Sequence, residues 1–218
     1  MLSFGPLKGR LHPAGLPILG VFALITLVVL WLSLTLGAVM VFVTFFVAAF
    51  FREPLRVPPE EKNVLVAPAD GLLVDIRKAS PPQELGGYAQ GEWHRLSIFL
   101  SVFDVHVTRM PEAGRVLATA YHRGKFFNAS LDKASEANER NSVVFETAKG
   151  PLVVTQIAGL IARRILCEVS IGDTVQRGQT YGIIRFGSRV DLYVPKGTSI
   201  TVQKGQRMVG GETIMARF

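Results

Sequence analysis

Ser188, which directly follows Gly187, is the residue of this sequence best placed for covalent chemistry. Residues 181–186 are mostly apolar and residues 189–194 alternate between polar and apolar side chains, so both segments are predicted strands. A Gly-Ser pair is often only a turn. Glycine, however, permits strained backbone angles and close approach by other groups, and strained positions are concentrated at functional sites. Ser188 is therefore a candidate reactive residue.

Polar side chains end the longest predicted strand, residues 93–108. If this stretch is extended throughout, Asp104, His106 and Thr108 share the face that begins with apolar residues. A bulge would change this phase. The pattern predicts a strand that runs from the core into a pocket.

The remaining chemically active side chains give weaker signals. No group of residues has the spacing of a metal site. Cys167 is the one cysteine, which excludes an intramolecular disulfide and fits a reducing compartment. The other histidines are expected to have surface or structural roles; they are His12, His94 and His122.

Short strands are the elements that must position these side chains. A hairpin or bulge is predicted around residues 67–71, and a hairpin at Lys149 and Gly150. Residues 160–169 are predicted strand, whereas the polar residues 129–138 have some helical character. The fold class is therefore mainly β (α+β), with helix scarce outside the N-terminal region.

An internal repeat shifted by 33 residues lies near the C-terminus. Val175 is matched by Met208, and a glycine, glycine, threonine pattern recurs around them. The matching residues are Gly172, Gly178 and Thr180 in the first copy and Gly205, Gly211 and Thr213 in the second. Two copies are too few for a solenoid, so we expect related halves of a compact β body.

An apolar segment dominates the N-terminal region. No Lys, Arg, Asp or Glu lies between Arg10 and Arg52, and the 36 residues of 16–51 are almost wholly apolar. One spanning helix needs about 20 apolar residues, and basic residues flank both ends. The positive-inside rule then favours a transmembrane helical hairpin with both ends on the cytoplasmic side. One long tilted or half-inserted helix is the alternative.

The domain organisation follows from this segment. Residues 1–52 are the predicted membrane anchor and residues 53–63, with three prolines, a short stiff linker. Residues 64–218 form the functional domain. The net charge of +7 is scattered rather than clustered, which argues against nucleic acid. It fits either an anionic lipid surface or a solvated basic surface.

Four motifs, in this order, resemble the short form of the phosphatidylserine decarboxylases, over about residues 60–218. The first contains Asp70 and the second His106. The motifs are APADG at 67–71, FDVHVTRMP at 103–111, NERN at 138–141 and FGSRVDLYVP at 186–195.

This resemblance implies a proenzyme that cleaves itself between Gly187 and Ser188, giving a β chain of residues 1–187 and an α chain of residues 188–218. The family's triad falls on Ser188 as nucleophile, His106 as base and Asp70 as the group that orients the base. Ser188 would become a pyruvoyl group, so no external cofactor is needed.

The resemblance also implies the reaction. The pyruvoyl group would form a Schiff base with the serine headgroup of phosphatidylserine, and loss of carbon dioxide would give phosphatidylethanolamine at the cytoplasmic side of the cell (inner) membrane. Longer family members have a second histidine where this chain has Arg109, so His106 is expected to serve both cleavage and turnover. Asp104 is expected either to tune His106 or the substrate amine, or to bond only to backbone.

A second class of function remains open from the sequence. Paired glycine repeats also occur in lipoyl and biotinyl carrier domains and in membrane-anchored efflux adaptors, which are not enzymes. A carrier would need a lysine where this chain has Gly187 and Ser188, and no long heptad pattern is present. Exposed strand edges also predict a dimer of the cleaved protein.

Overall fold

The computed structural model describes residues 9–124, 138–159, 164–185 and 188–218. It divides into an N-terminal helical unit that ends at Leu55 and a β unit from Arg56 to Phe218. Gly187 and most of the predicted helical stretch, residues 129–137, lie outside the described residues.

Two apolar helices make up most of the N-terminal unit, α1 (Leu16–Leu32) and α2 (Leu34–Phe50). Ser33 separates them with extended backbone, and its hydroxyl accepts a 3.5 Å hydrogen bond from the Leu36 N–H, which caps α2. The absence of a side chain at Gly37 lets the helices meet closely, because a Cβ there would lie 2.4 Å from Leu30. The break at Ser33 therefore falls near the middle of the apolar segment, residues 16–51.

The two helices of this unit run in opposite directions. The hydroxyls of Thr26 and Thr44 lie 2.7 Å apart across the pair. At the open end, β1 (Gly9–Leu11) pairs antiparallel with β2 (Arg52–Pro54). By length and composition, the described helix Pro13–Leu32 could cross a membrane, whereas α2 is apolar but shorter. Two membrane crossings remain a prediction.

The β unit contains fourteen strands within its described residues. They are β3 (Val64–Val66), β4 (Gly71–Lys78), β5 (Trp93–Leu100), β6 (Val107–Arg109), β7 (Gly114–His122), β8 (Arg140–Thr147), β9 (Gly150–Ala158), β10 (Ile165–Cys167), β11 (Thr174–Val175), β12 (Thr180–Ile184), β13 (Ser188–Pro195), β14 (Ser199–Ile200), β15 (Arg207–Met208) and β16 (Ile214–Arg217). The predicted mainly β class is confirmed.

The strand order has an approximate two-fold symmetry. An antiparallel eight-stranded sheet has the order β11-β7-β8-β9-β13-β5-β4-β15, and two three-stranded sheets have the orders β10-β12-β6 and β14-β16-β3. In the large sheet, β9 matches β13, β8 matches β5, β7 matches β4 and β11 matches β15. The two three-stranded orders then match each other strand by strand. One half therefore consists of β6 to β12, and the other of β3 to β5 together with β13 to β16.

The predicted 33-residue repeat is part of this symmetry. Its two copies supply β11 and β15. In the first copy the Asp173 carbonyl accepts a 2.9 Å hydrogen bond from the Val116 N–H, and in the second the Gln206 carbonyl accepts one of the same length from the Leu73 N–H. All four repeat glycines have positive φ, which favours glycine. The expectation of related halves is confirmed.

Two local predictions are wrong. Of the hairpin or bulge predicted around residues 67–71, the hairpin is wrong, because β3 pairs with β16 whereas β4 pairs with β5 and β15. The predicted strand 93–108 breaks after Leu100 and resumes at Val107, because a hydrogen-bonded turn closes between Ser101 and Asp104. The hairpin between β8 and β9 is confirmed.

The large sheet buries both of its faces. One face supplies the main apolar core, which includes Leu73, Leu96, Ile98, Phe145, Val154, Val190 and Leu192. The opposite face has a buried polar row of directly paired residues, Ser97, Asp191, Thr155 and Ser142. Since the side chains of a strand alternate between faces, Ser188 lies on the core face with Val190, and Arg189 lies on the polar face.

Candidate active site

The chain passes between the two halves at two adjacent connections. Residues 101–106 lead from β5 to β6, and residues 185–187 lead from β12 to β13. At one end Leu100 pairs with Ser188, and at the other the Ile184 N–H donates to the His106 carbonyl at 3.2 Å. Three residues separate Ile184 from Ser188, so their Cα atoms lie four steps along the chain and at most about 14 Å apart. The fold thus brings His106 and Ser188 to neighbouring connections.

Ser188 occupies the first position of a central strand. It pairs with Leu100 of β5 on one side and Ala158 of β9 on the other. The residue is fully buried, and its hydroxyl has no hydrogen-bond partner within the described part of the chain. Because a buried hydroxyl usually has a partner, this arrangement costs stability and is typical of a functional position.

His106 is fully buried, and its imidazole ring contacts the backbone of Asp104. Nδ1 lies 3.0 Å from the Asp104 carbonyl oxygen. A carbonyl can only accept a hydrogen bond, so this contact favours the tautomer with the proton on Nδ1 and the lone pair on Nε2.

Asp104 folds the connection that leads to His106. One carboxylate oxygen accepts hydrogen bonds from the Ser101 N–H at 2.8 Å and the Ser101 hydroxyl at 2.7 Å, and the other accepts one from Arg207. Asp104 therefore bonds to one backbone group and to two side chains. A role in tuning His106 or the substrate amine stays a prediction.

Asp70 lies in the turn between β3 and β4. Its carboxylate accepts hydrogen bonds from Arg56 and from the Gly210 N–H, each 2.7 Å long. The Arg109 N–H donates to the Pro68 carbonyl at 2.8 Å, which places this turn beside β6. These contacts bring Asp70 to the region of His106, and its orienting role stays a prediction.

A buried ion pair directly follows Ser188, and the sequence analysis did not single it out. Arg189 donates two 2.8 Å hydrogen bonds to Asp191, and both residues are at most 2% exposed. Arg95 Nε lies 3.9 Å from the same carboxylate. Two opposite charges at i and i+2 of a predicted strand would have been the available signal. The pair lies directly after Ser188 on β13 and brings two buried opposite charges together.

We expect Asp191→Asn to lower the free energy of unfolding by about 3–5 kcal/mol, because it leaves the Arg189 charge buried without its carboxylate. Urea unfolding should be measured in a Ser188→Ala background, in which the chain is expected to stay whole. Glu61→Gln is the control, because it breaks only the exposed ion pair with Arg217. An Asp191→Asn midpoint as close to the parent as that of Glu61→Gln would show that the buried ion pair does not stabilise the fold.

The NERN motif supports the strand next to Ser188 instead of forming a turn. Asn138 is buried, and its side-chain amide donates to the Ala158 carbonyl at 2.8 Å; Ala158 is the direct partner of Ser188. Asn141 lies within β8 and donates to Gln156 at 3.4 Å.

The remaining candidates lie outside the two connections. His94 and His122 are half-buried in β5 and β7, and His12 is buried beside a short turn of the N-terminal unit. Cys167 is a free thiol, and burial raises its pKa. Among the described residues no group of His, Cys, Asp or Glu could hold a metal ion.

The chain is similar to known proteins over most of its length. Residues 43–216 match the family model described as phosphatidylserine decarboxylase. A phosphatidylserine decarboxylase proenzyme of Ruegeria pomeroyi is 50% identical over 207 residues, covering 94% of each chain. One of Rickettsia akari is 48% identical over 219 residues, covering all of this chain and 94% of the relative. These similarities favour a decarboxylase over a carrier-like adaptor.

Proposed function

Because this chain belongs to the phosphatidylserine decarboxylase family, we propose that it decarboxylates phosphatidylserine to phosphatidylethanolamine after cleaving itself between Gly187 and Ser188. The observation that carries the proposal is the buried Ser188, whose hydroxyl has no partner among the described residues and lies at the connection next to His106.

The first step of cleavage is an acyl shift from nitrogen to oxygen. The Ser188 hydroxyl attacks the Gly187 carbonyl, a C–O bond forms, and the peptide C–N bond breaks. His106 Nε2 accepts the hydroxyl proton and returns it to the leaving nitrogen. Loss of the Ser188 α-proton then breaks the bond between Cβ and the ester oxygen, so that Gly187 leaves as a carboxylate that keeps the serine oxygen and residue 188 becomes dehydroalanine. A proton returns to Cβ to give an imine. Water replaces the imine nitrogen, which leaves as ammonia.

The surroundings of Ser188 fit the pyruvoyl group that this sequence of steps would create. Ser188 is a small residue at the start of a strand, and its buried hydroxyl has no partner in the described structure, so its conversion to an N-terminal keto group would break no described side-chain hydrogen bond. Such a group supplies an electron sink for decarboxylation of an amino acid headgroup. Strand pairing on both sides of Ser188 would hold it in place, and the neighbouring His106 would supply the proton to the substrate.

The two chains are expected to remain together after cleavage. The α chain would contain β13, which pairs with β5 and β9, and also β15 and β16, which pair with β4 and β3. All of these partners belong to the β chain. The product is therefore a heterodimer whose chains share one core, and a further dimer of it remains a proposal.

The apolar N-terminal helix supports a membrane location for this activity. A lipid substrate and a flanking basic charge fit attachment to the cytoplasmic side of the cell membrane. We propose the helical unit as the anchor.

Asp70→Ala is expected to block cleavage if Asp70 orients His106. Arg56→Gln is the matched control, because it removes the ion pair with Asp70 but keeps the carboxylate, and we expect it to be cleaved normally. Intact-mass measurement of both purified variants checks this. Equal loss of cleavage in both variants would show that Asp70 acts by stabilising its turn through the ion pair with Arg56. Normal cleavage of Asp70→Ala would remove Asp70 from the triad.

The experiment that tests the function is conversion of phosphatidylserine by the purified protein in detergent, followed by chromatography of the lipid product and by release of carbon dioxide. Formation of phosphatidylethanolamine without any added cofactor is the expected result. A fully cleaved protein that leaves phosphatidylserine unchanged would overturn the proposal.

A further inference from the structure

Two arginines face each other beside the connection that leads to Ser188. The Arg185 N–H donates to the Arg164 carbonyl at 3.2 Å, one position beyond the direct pair of Ile184 and Ile165. Residues directly opposite in antiparallel strands have Cβ atoms about 5 Å apart and side chains on the same face. Like charges in this arrangement destabilise a sheet.

The two arginines lie outside the described ion pairs, although the Arg164 charge acts on Tyr121, whose hydroxyl bonds to Glu139. Neither arginine forms an ion pair within the part of the chain that the structure describes, and Arg185 Nε is buried without a hydrogen-bond partner there. Burial, together with the charge of Arg164, lowers the pKa of Arg185. Arg164 is exposed. The pair therefore offers solvent-accessible positive charge that an anion would stabilise.

The position of the pair is close to the reacting centre. Ile184, which directly precedes Arg185, donates to the His106 carbonyl. Two residues separate Arg185 from Ser188, so their Cα atoms lie three steps along the chain and at most about 11 Å apart. An arginine side chain spans much of that distance. In a serine phospholipid only four bonds separate the reacting amine from the phosphorus. An anion beside Arg185 thus matches the place of the headgroup phosphate.

We propose that Arg164 and Arg185 bind the phosphodiester of the phospholipid whose headgroup is decarboxylated. Guanidinium groups bind phosphate oxygens through paired, charge-assisted hydrogen bonds, and two facing arginines would contact both non-bridging oxygens. This assignment rests on the proposed function. It gives the destabilising pair a role in substrate affinity, separate from the bond-making roles of Ser188 and His106.

The test uses a short-chain phosphatidylserine below its micelle concentration, so that binding to a lipid surface does not contribute. Intact mass should show complete self-cleavage of both Arg164→Gln and Arg185→Gln. Each substitution should raise KM about tenfold, while kcat stays near wild type. Arg115→Gln, which removes an exposed charge from β7 at the far side of the sheet, is the matched control and should leave KM unchanged. Arg185→Lys should recover part of the affinity.

A second measurement separates the substrate phosphate from other lipid phosphates. Cosedimentation with vesicles of phosphatidylglycerol and phosphatidylcholine should be equal for wild type and both glutamine variants. Loss of vesicle binding with an unchanged KM would show that the arginines contact the bilayer surface, and it would overturn the proposal. A fall in kcat with an unchanged KM would also overturn it. Failure of the wild-type protein to cleave or decarboxylate would instead refute the proposed function.

Discussion

Ser188→Ala is expected to leave the protein as one chain of 218 residues without decarboxylase activity. Alanine removes the only atom of residue 188 that could attack the Gly187 carbonyl, and no pyruvoyl group can form from it. Nothing in the packing opposes the change, because the Ser188 hydroxyl has no hydrogen-bond partner in the described structure. Intact mass and the lipid assay give the two measurements, and the thermal transition should stay at or above that of wild type.

Ser97→Ala is the matched control for this variant. Ser97 is also fully buried, its hydroxyl likewise has no partner within the described residues, and it lies on the neighbouring strand β5. Since it faces the polar side of the sheet, its removal should leave cleavage and activity intact. Cleavage of Ser188→Ala at the wild-type position would show that another residue is the nucleophile.

His106→Ala is expected to lower the rate of cleavage by at least about a hundredfold, the scale of a missing general base. His106 is the proposed acceptor of the Ser188 hydroxyl proton, and alanine cannot take that proton. The fraction of cleaved chain should be followed over time by gel or intact mass after rapid purification. Circular dichroism should confirm that the variant is folded, because His106 is fully buried.

His94→Ala and His122→Ala are the controls for this effect. Both histidines are half-buried on β5 and β7, away from the two connections. We expect both variants to be cleaved at the wild-type rate. Wild-type cleavage of His106→Ala would remove His106 from the triad, and slow cleavage in all three would indicate a general effect on folding.

Local patterns in the sequence predicted those parts of the fold that depend on neighbours along the chain. The hairpin between β8 and β9 follows from two apolar runs around Lys149 and Gly150, and the repeat follows from glycines that need positive φ. The pairing of β3 with β16 could not be read in this way, because about 150 residues separate the strands. A longer repeat was also missed: Pro68 and Gly71 recur 43 residues later as Pro111 and Gly114.

The candidate site shows the same division. The resemblance assigned Ser188 and His106 to one triad, and their roles stay predictions, whereas the predicted strand face of His106 was wrong. The prediction that Asp104, His106 and Thr108 share one strand face failed because the Asp104 carboxylate bonds to Ser101. These bonds form a turn where a continuous strand was expected. The facing of Arg164 and Arg185 depends on the register of β10 against β12, which is a property of the folded chain alone.

The most direct test of self-cleavage is the intact mass of the wild-type protein after purification. We predict two chains, residues 1–187 ending in a free carboxylate and residues 188–218 lighter than the serine-initiated peptide by one ammonia. The second chain should resist Edman degradation and react with a carbonyl reagent. A single chain of 218 residues, or a 188–218 chain that begins with an unmodified serine, would contradict the account.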